Sequence, residues 1–162
     1  METTAVTTHS SSKPTIAASA PVVSSAEGTI DAPIDVVWRI LIAIEQWPTW
    51  NHDVKSVSMD GPTVEGATFR WKAGSATITS TLTHLARPNL VAWTGRTLGI
   101  RAIHIWRLEQ RGDRTHVRTE ESYEGVVARL FRRPLQKTLD ATLSKGVRHL
   151  ETEAERVVST TP

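Results

Sequence analysis

IDAPIDVVWRILIAIEQWPTWN, running from Ile30 to Asn51, is the stretch on which the fold turns. Asp31-Ala32-Pro33 closes one segment and opens the next. Proline suits the first turn of a helix, where its missing N–H has no partner to lose, and Asp31 is placed to cap that turn. Val37, Trp38, Leu41, Ile42 and Ile44 recur at helical spacing and give one apolar face. Trp47-Pro48-Thr49-Trp50 follows at once and predicts a second, short helical turn that plugs an opening. A helix pair between a first strand and a long run of strands is an unusual order, and it narrows the architecture.

Working outward, Val22 to Ile30 reads as the first strand, expected at a sheet edge because Gly28 weakens its end. Downstream, residues 52–59, 67–72, 76–86, 90–96, 99–110 and 115–125 read as six more strands. Turn signals separate them at Asp60-Gly61-Pro62, Ala73-Gly74-Ser75, Arg87-Pro88-Asn89 and Arg111-Gly112-Asp113-Arg114. Val126 to Arg132 reads as a short helical turn, and Pro134 either starts or kinks a long helix. Leu135, Leu139, Leu143, Gly146, Leu150 and Ala154 form its apolar stripe.

Alternation assigns the faces. In the sixth strand Ile100, Ala102, His104, Trp106 and Leu108 point inward, because the opposite face carries Arg101, Arg107 and Glu109. In the seventh, Val117, Thr119, Glu121 and Tyr123 point inward and His116, Arg118, Glu120 and Glu124 outward. Pairing Gln110 with Thr115 across the hairpin sets Leu108 opposite Val117, Trp106 opposite Thr119, His104 opposite Glu121 and Ala102 opposite Tyr123. Every pair falls on the inward face. Pairing Lys72 with Thr77 likewise sets Trp71 opposite Ile78 and Phe69 opposite Ser80, with both aromatics inward.

The pattern I-D-A-P-x-x-V-V-W with W-P-x-W-N, continued by Phe69-Arg70-Trp71-Lys72, Trp93-Thr94-Gly95, His104-Ile105-Trp106-Arg107 and Glu120-Glu121-Ser122-Tyr123-Glu124-Gly125, resembles the polyketide cyclase/dehydrase group of the START-like (Bet v 1-like, SRPBCC) superfamily. The resemblance covers roughly residues 20–158. It implies an α+β helix-grip fold: a seven-stranded curved antiparallel sheet with two short helices, gripping a long C-terminal helix over a hydrophobic cavity. It implies binding of lipids, polyketides or hormones, with only some members being enzymes.

The chain has 162 residues, enough for one domain with a sizeable core. Residues 1–20, rich in Thr, Ser and Ala and nearly free of charge, read as a disordered tail before a domain at 21–158. They lack the basic start and apolar core of a signal peptide. There is no cysteine, so thiol nucleophiles, disulfides and Cys-based metal sites are excluded, which fits a reducing, cytoplasmic setting. A net charge of +2 is too small to point to nucleic acid. No apolar run approaches the ~20 residues of a membrane span.

Six tryptophans against one tyrosine and two phenylalanines are the first chemical signal. Trp71, Trp93 and Trp106 face inward with Phe69 and Ile78, and indole offers a broad apolar wall with one N–H donor. With Thr119, Tyr123, Leu139, Leu143 and Gly146 they form the expected ligand-binding set. The alternative is that three indoles simply fill the core. Gly146, on the inner stripe of the long helix, leaves room either for a ligand or for a tryptophan ring.

The sharpest signal is His104 opposite Glu121, with Cβ atoms ~5 Å apart. A carboxylate that orients an imidazole is the usual arrangement of a general base, and these two are the catalytic candidates, with Tyr123 able to donate to an enolate oxygen. The alternatives are ligand hydrogen bonding and a mutually satisfied structural pair. An ionised Glu121 is expected to favour the imidazolium, while burial opposes it. His9, His52, His84, His116 and His149 share no ligand spacing, so no metal is expected, and no motif for another cofactor is present. Arg129, Arg132, Arg133 and Lys137 form a basic cluster that reads first as a solvated helix face and only second as a contact for an anionic membrane or RNA, so neither a membrane surface nor nucleic acid is the expected partner.

Three readings remain. One is a binder of a hydrophobic small molecule. Another is a cyclase or dehydratase using His104 and Glu121. The third is an interaction protein using the basic C-terminal helix.

Overall fold

The alternating segments pair edge to edge in one seven-stranded antiparallel sheet of order β1-β7-β6-β5-β4-β3-β2. The computed structural model describes residues 12–160. β1 is Val22–Ile30, β2 Val54–Met59, β3 Thr68–Ala73, β4 Ala76–Ala86, β5 Leu90–Thr97, β6 Ile100–Arg111 and β7 Arg114–Glu124. Both expected registers are present, with His104 opposite Glu121, Trp106 opposite Thr119 and Trp71 opposite Ile78. The Gly112-Asp113 turn fixes the first of them, with glycine at φ +62 in the first loop position.

α1 (Ile34–Ile42) buries Val37, Trp38 and Leu41, as its periodicity requires, and α2 is the WPTW turn Trp47–Trp50. Asp31 does not cap α1. Pro33 occupies the cap position, the Ile34 N–H donates to Gln110 Oε1 at 2.8 Å, and the Asp31 carboxylate lies 3.4 Å from Arg114. The cap is thus supplied by the β6–β7 hairpin, which no local reading of the helix could supply.

α3 (Val126–Leu130) leads into α4 (Arg132–Thr160), which buries Leu139, Leu143, Gly146, Val147, Leu150 and Ala154. Pro134 sits in the first turn, where a proline needs no partner. α4 lies mainly over β1 and β7, and α1 packs beside it. β1 is an edge strand, but Gly28 does not fray it, since pairing continues to Ile30. A Cβ at Gly28 would stand 2.8 Å from Val147 Cγ1, so glycine is required there by the close approach of α4. No described helix is long and apolar enough to cross a membrane.

The N-terminal boundary of the structured chain precedes Ala20. Arg107 donates to the Pro14 carbonyl at 2.8 Å, and the Ala17 N–H donates to Ser122 Oγ at 3.1 Å. Ser122 and Ile105, on the face opposite α4, are 1% and 0% exposed. The remainder of the expected tail, with His9, lies outside the described residues.

Candidate functional site

Cross-strand pairing stacks the inward residues in rows. The row nearest the β5–β6 turn holds Trp71, Ile78 and Ile100. The next runs Phe69, Ser80, Gly95, Ala102, Tyr123, Val22. The third runs Leu82, Trp93, His104, Glu121, Ser24, and the fourth includes Val91, Trp106, Thr119 and Ala26. The three small residues in the middle of the second row, Ser80, Gly95 and Ala102, lie beside the polar pair of the third.

Three of the aromatics expected to form a wall, Phe69, Trp71 and Trp93, meet around Trp47. Trp47 packs edge-on to Phe69 and Trp71, with centroids 5.6 and 6.0 Å apart, and tilted against Trp93 at 5.3 Å. Trp47 donates to the Leu41 carbonyl at 2.9 Å, and Trp71 to Ser80 Oγ at 3.0 Å. Trp47 is therefore the plug, a wall residue that the strand pattern could not place. Leu139 and Leu143 stand apart from this cluster, packed with Val22 and flanked by Tyr123. Gly146 accommodates a ring: a Cβ there would lie 3.8 Å from Trp106. That is ordinary contact, so Gly146→Ala is expected to raise stability by about 1 kcal/mol through helix propensity, read as a higher urea midpoint with unchanged slope. Two open depressions, about 430 Å³ along β2 to β4 and about 320 Å³ between β1 and α4, contain neither His104 nor Glu121.

Between the two apolar clusters lies a polar seam. His104 Nε2 and Thr119 Oγ1 are 2.7 Å apart, and the ring stands 4.5 Å from Trp93 and stacks at 5.9 Å on Trp106. Glu121 Oε2 approaches His104 Nδ1 to 3.3 Å. The approach is poorly aligned, and Nδ1 is left without a hydrogen-bond partner among the described residues. No described residue donates to the Glu121 carboxyl or binds the Tyr123 hydroxyl. The two side chains of the pair keep only 11% and 10% of their surface accessible.

Burial decides the charge. It pushes His104 down to about 3 and Glu121 up to about 8. Burial thus works against the favouring of the imidazolium expected from an ionised carboxylate, since it disfavours the charged form of both groups. Burial, and then Glu121, also raise the Tyr123 phenol, which keeps its proton. The seam offers a carboxylic O–H, a phenolic O–H and an imidazole nitrogen inside an aromatic surround.

The residues around the seam that lie outside the expected ligand-binding set are Ser24, Ser80, Gly95 and Ala102, while Trp47 is expected from sequence only as part of the plugging turn. The two derived registers place Ser80 and Ala102, whereas Ser24 and Gly95 depend on the β1–β7, β4–β5 and β5–β6 pairings that only the structure supplies. His52 and His149, scattered in sequence, meet with ring centroids 5.1 Å apart, and His149 Nδ1 lies 3.2 Å from Asn51 Oδ1. Among the described residues no group of three or more His, Asp or Glu is placed to hold a metal ion.

A curved antiparallel sheet gripping a long C-terminal helix, with polar groups facing the aromatic interior, defines a helix-grip protein of the START/Bet v 1 class. The chain belongs to the family described as polyketide cyclase / dehydrase and lipid transport, whose model matches residues 21–155. No curated protein matches it. Among solved structures, it is similar to a hypothetical protein of Helicobacter pylori at 16% identity and TM-score 0.76, covering 86% of this chain and 91% of that one. It is similar to the Zhui aromatase/cyclase of Streptomyces sp. R1128 at 18% identity and TM-score 0.74, covering 84% and 94%. A START superfamily protein of Mycobacterium smegmatis aligns at 15% identity and TM-score 0.73, covering 83% and 98%.

Proposed function

We infer that the protein binds a hydrophobic small molecule carrying at least one hydrogen-bonding group, of lipid, polyketide or aromatic type, between α4 and the sheet. The observation that carries this is the unspent hydrogen-bonding capacity of His104 Nδ1, Glu121 and Tyr123 within an apolar surround. Entry is from the end where Trp71, Ile78, Ile100, Ala102 and Tyr123 are only part-buried. Membership of a family described by polyketide cyclisation and lipid transport supports the ligand class, and the cysteine-free sequence suits a cytoplasmic location.

The test is titration with N-phenyl-1-naphthylamine, a neutral apolar dye. About one dye per chain should bind and quench tryptophan emission. Ala102→Leu should abolish binding, because the side chain fills the row beside His104. For a ligand with a polar group, His104→Ala should weaken affinity by about 1–3 kcal/mol. Absence of saturable binding, or binding unchanged in Ala102→Leu, overturns the reading.

A second reading, a cyclase or dehydratase, is favoured by the protonated Glu121 beside the imidazole, which suits a general acid. The same burial makes His104 a poor base at neutral pH, and this ranks turnover below binding. Turnover would be revealed by Glu121→Gln lowering the rate ~10²–10⁴-fold while leaving substrate affinity nearly intact.

A further inference from the structure

The hairpin turn between β5 and β6 is built at odds with its sequence. Its two loop residues, Leu98 and Gly99, have φ +40 and +74. A two-residue turn with both φ values positive favours Asn-Gly, and a branched apolar side chain in the left-handed region is strained. Leu98 nevertheless stands there 79% exposed, so no internal packing compensates. Gly99 rests against Val127 of α3, which brings this turn beside the α3 end of the fold. There Val126, Leu130 and Phe131 are 68%, 74% and 56% exposed. Four of the six large exposed apolar residues described therefore meet at one end of the molecule, the end where the part-buried rows open.

Charge is arranged around the same end. Arg96 and Arg101 are paired directly across β5 and β6, next to Leu98. Like charges placed directly opposite repel. Arg129, Arg132, Arg133 and Lys137 continue the cationic surface along α3 and the start of α4. None of these six cations makes an ion pair with a described residue, which is also true of Arg39, Arg70 and Arg148 elsewhere, whereas Arg87, Arg107, Arg111, Arg114, Arg118 and Arg156 do. Glu124, the one acid within residues 94–102 and 124–137, lies beside Arg101 in register and is likewise unpaired.

We propose that this end of the fold, with Leu98, Val126, Leu130 and Phe131 at its centre and the six cations at its rim, docks on the surface of an anionic lipid bilayer. Apolar side chains enter the headgroup boundary while arginines remain at the phosphate level, the division of labour of interfacial anchors. An RNA partner would use the cations but leave exposed leucine and valine unexplained. Docking needs no ligand in the interior, so it stands apart from the binding reading.

The experiment is cosedimentation of the full chain with vesicles of phosphatidylcholine containing 30 mol% phosphatidylglycerol, and with phosphatidylcholine alone, at 50 and 300 mM NaCl. Binding is expected to the anionic vesicles and to weaken with salt. Each cation near such a surface contributes about a fivefold gain in partitioning. Arg129→Glu, Arg132→Glu and Arg133→Glu together should therefore lower binding roughly 100-fold or more. The equal charge change Arg39→Glu, Arg111→Glu and Arg114→Glu, away from this end, should lower it far less. Leu98→Asn should raise the melting temperature and weaken vesicle binding together, a combination that a damaged fold cannot produce. No binding to anionic vesicles, equal loss in the two charge variants, or Leu98→Asn without effect on binding overturns the proposal. Capture of duplex RNA without vesicle binding overturns it also.

Discussion

Glu121→Gln is expected to stabilise the protein by about 3 kcal/mol at pH 7 and to change it little at pH 4. Burial disfavours the charged form of the Glu121 carboxyl and pushes it up to about 8 in the folded chain from its ordinary 4.5. Below pH 4.5 it is protonated in both folded and unfolded chains, and its favourable contribution is fully present. As pH rises from 4.5 towards 8, the unfolded chain ionises and the folded chain does not. Stability then falls by about 1.4 kcal/mol per pH unit. Glutamine has no proton to lose, so the variant escapes this decline.

His104 produces the opposite limb. Its folded value, about 3, lies below 6.5, so its contribution is present above 6.5 and is lost as pH falls towards 3. In the wild type the two slopes cancel between pH 4.5 and 6.5, leaving a plateau that falls on both sides. Urea unfolding of wild type and Glu121→Gln from pH 4 to 8.5 measures this directly. Parallel profiles would mean that the Glu121 carboxyl titrates alike in the folded and unfolded chains, without the upward push of burial.

Trp47→Ala is expected to cost about 3–5 kcal/mol, the range for removing a buried aromatic, and to leave a chain close to the threshold of folding. Trp47 is 4% exposed and touches Phe69 and Trp71 of β3 and Trp93 of β5, so its loss opens the meeting point of α2 with two strands. It also deprives the Leu41 carbonyl of its donor. Trp47→Phe keeps most of the ring contact and loses that hydrogen bond, so a smaller loss, about 1–3 kcal/mol, is expected. Urea denaturation of the two variants separates packing from hydrogen bonding. Equal losses would assign the effect to the hydrogen bond alone.

The sequence by itself determined the element order, the strand faces and the pairing of His104 with Glu121. Each follows from a local rule: a period of two, a period near 3.6, or a two-residue turn that fixes everything paired beyond it. Only the tertiary structure decided how those faces are used. Alternation assigned Ile105 and Ser122 to the face away from α4, where water was expected. The chain from Pro14 to Ala17 runs across that side, and both residues are buried. A strand pattern distinguishes two faces but cannot say whether a distant segment covers the second.

Gly28 read as a weak strand end, yet it is a contact point for Val147, 119 positions along the chain. Asp31 read as a helix cap, yet Gln110 performs that role from another hairpin. The charge of the central pair shows the same division. Register placed the imidazole and carboxyl side by side, but their protonation depends on how much water the assembled interior excludes, and that is a property of the whole sheet, its helices and Trp47 together.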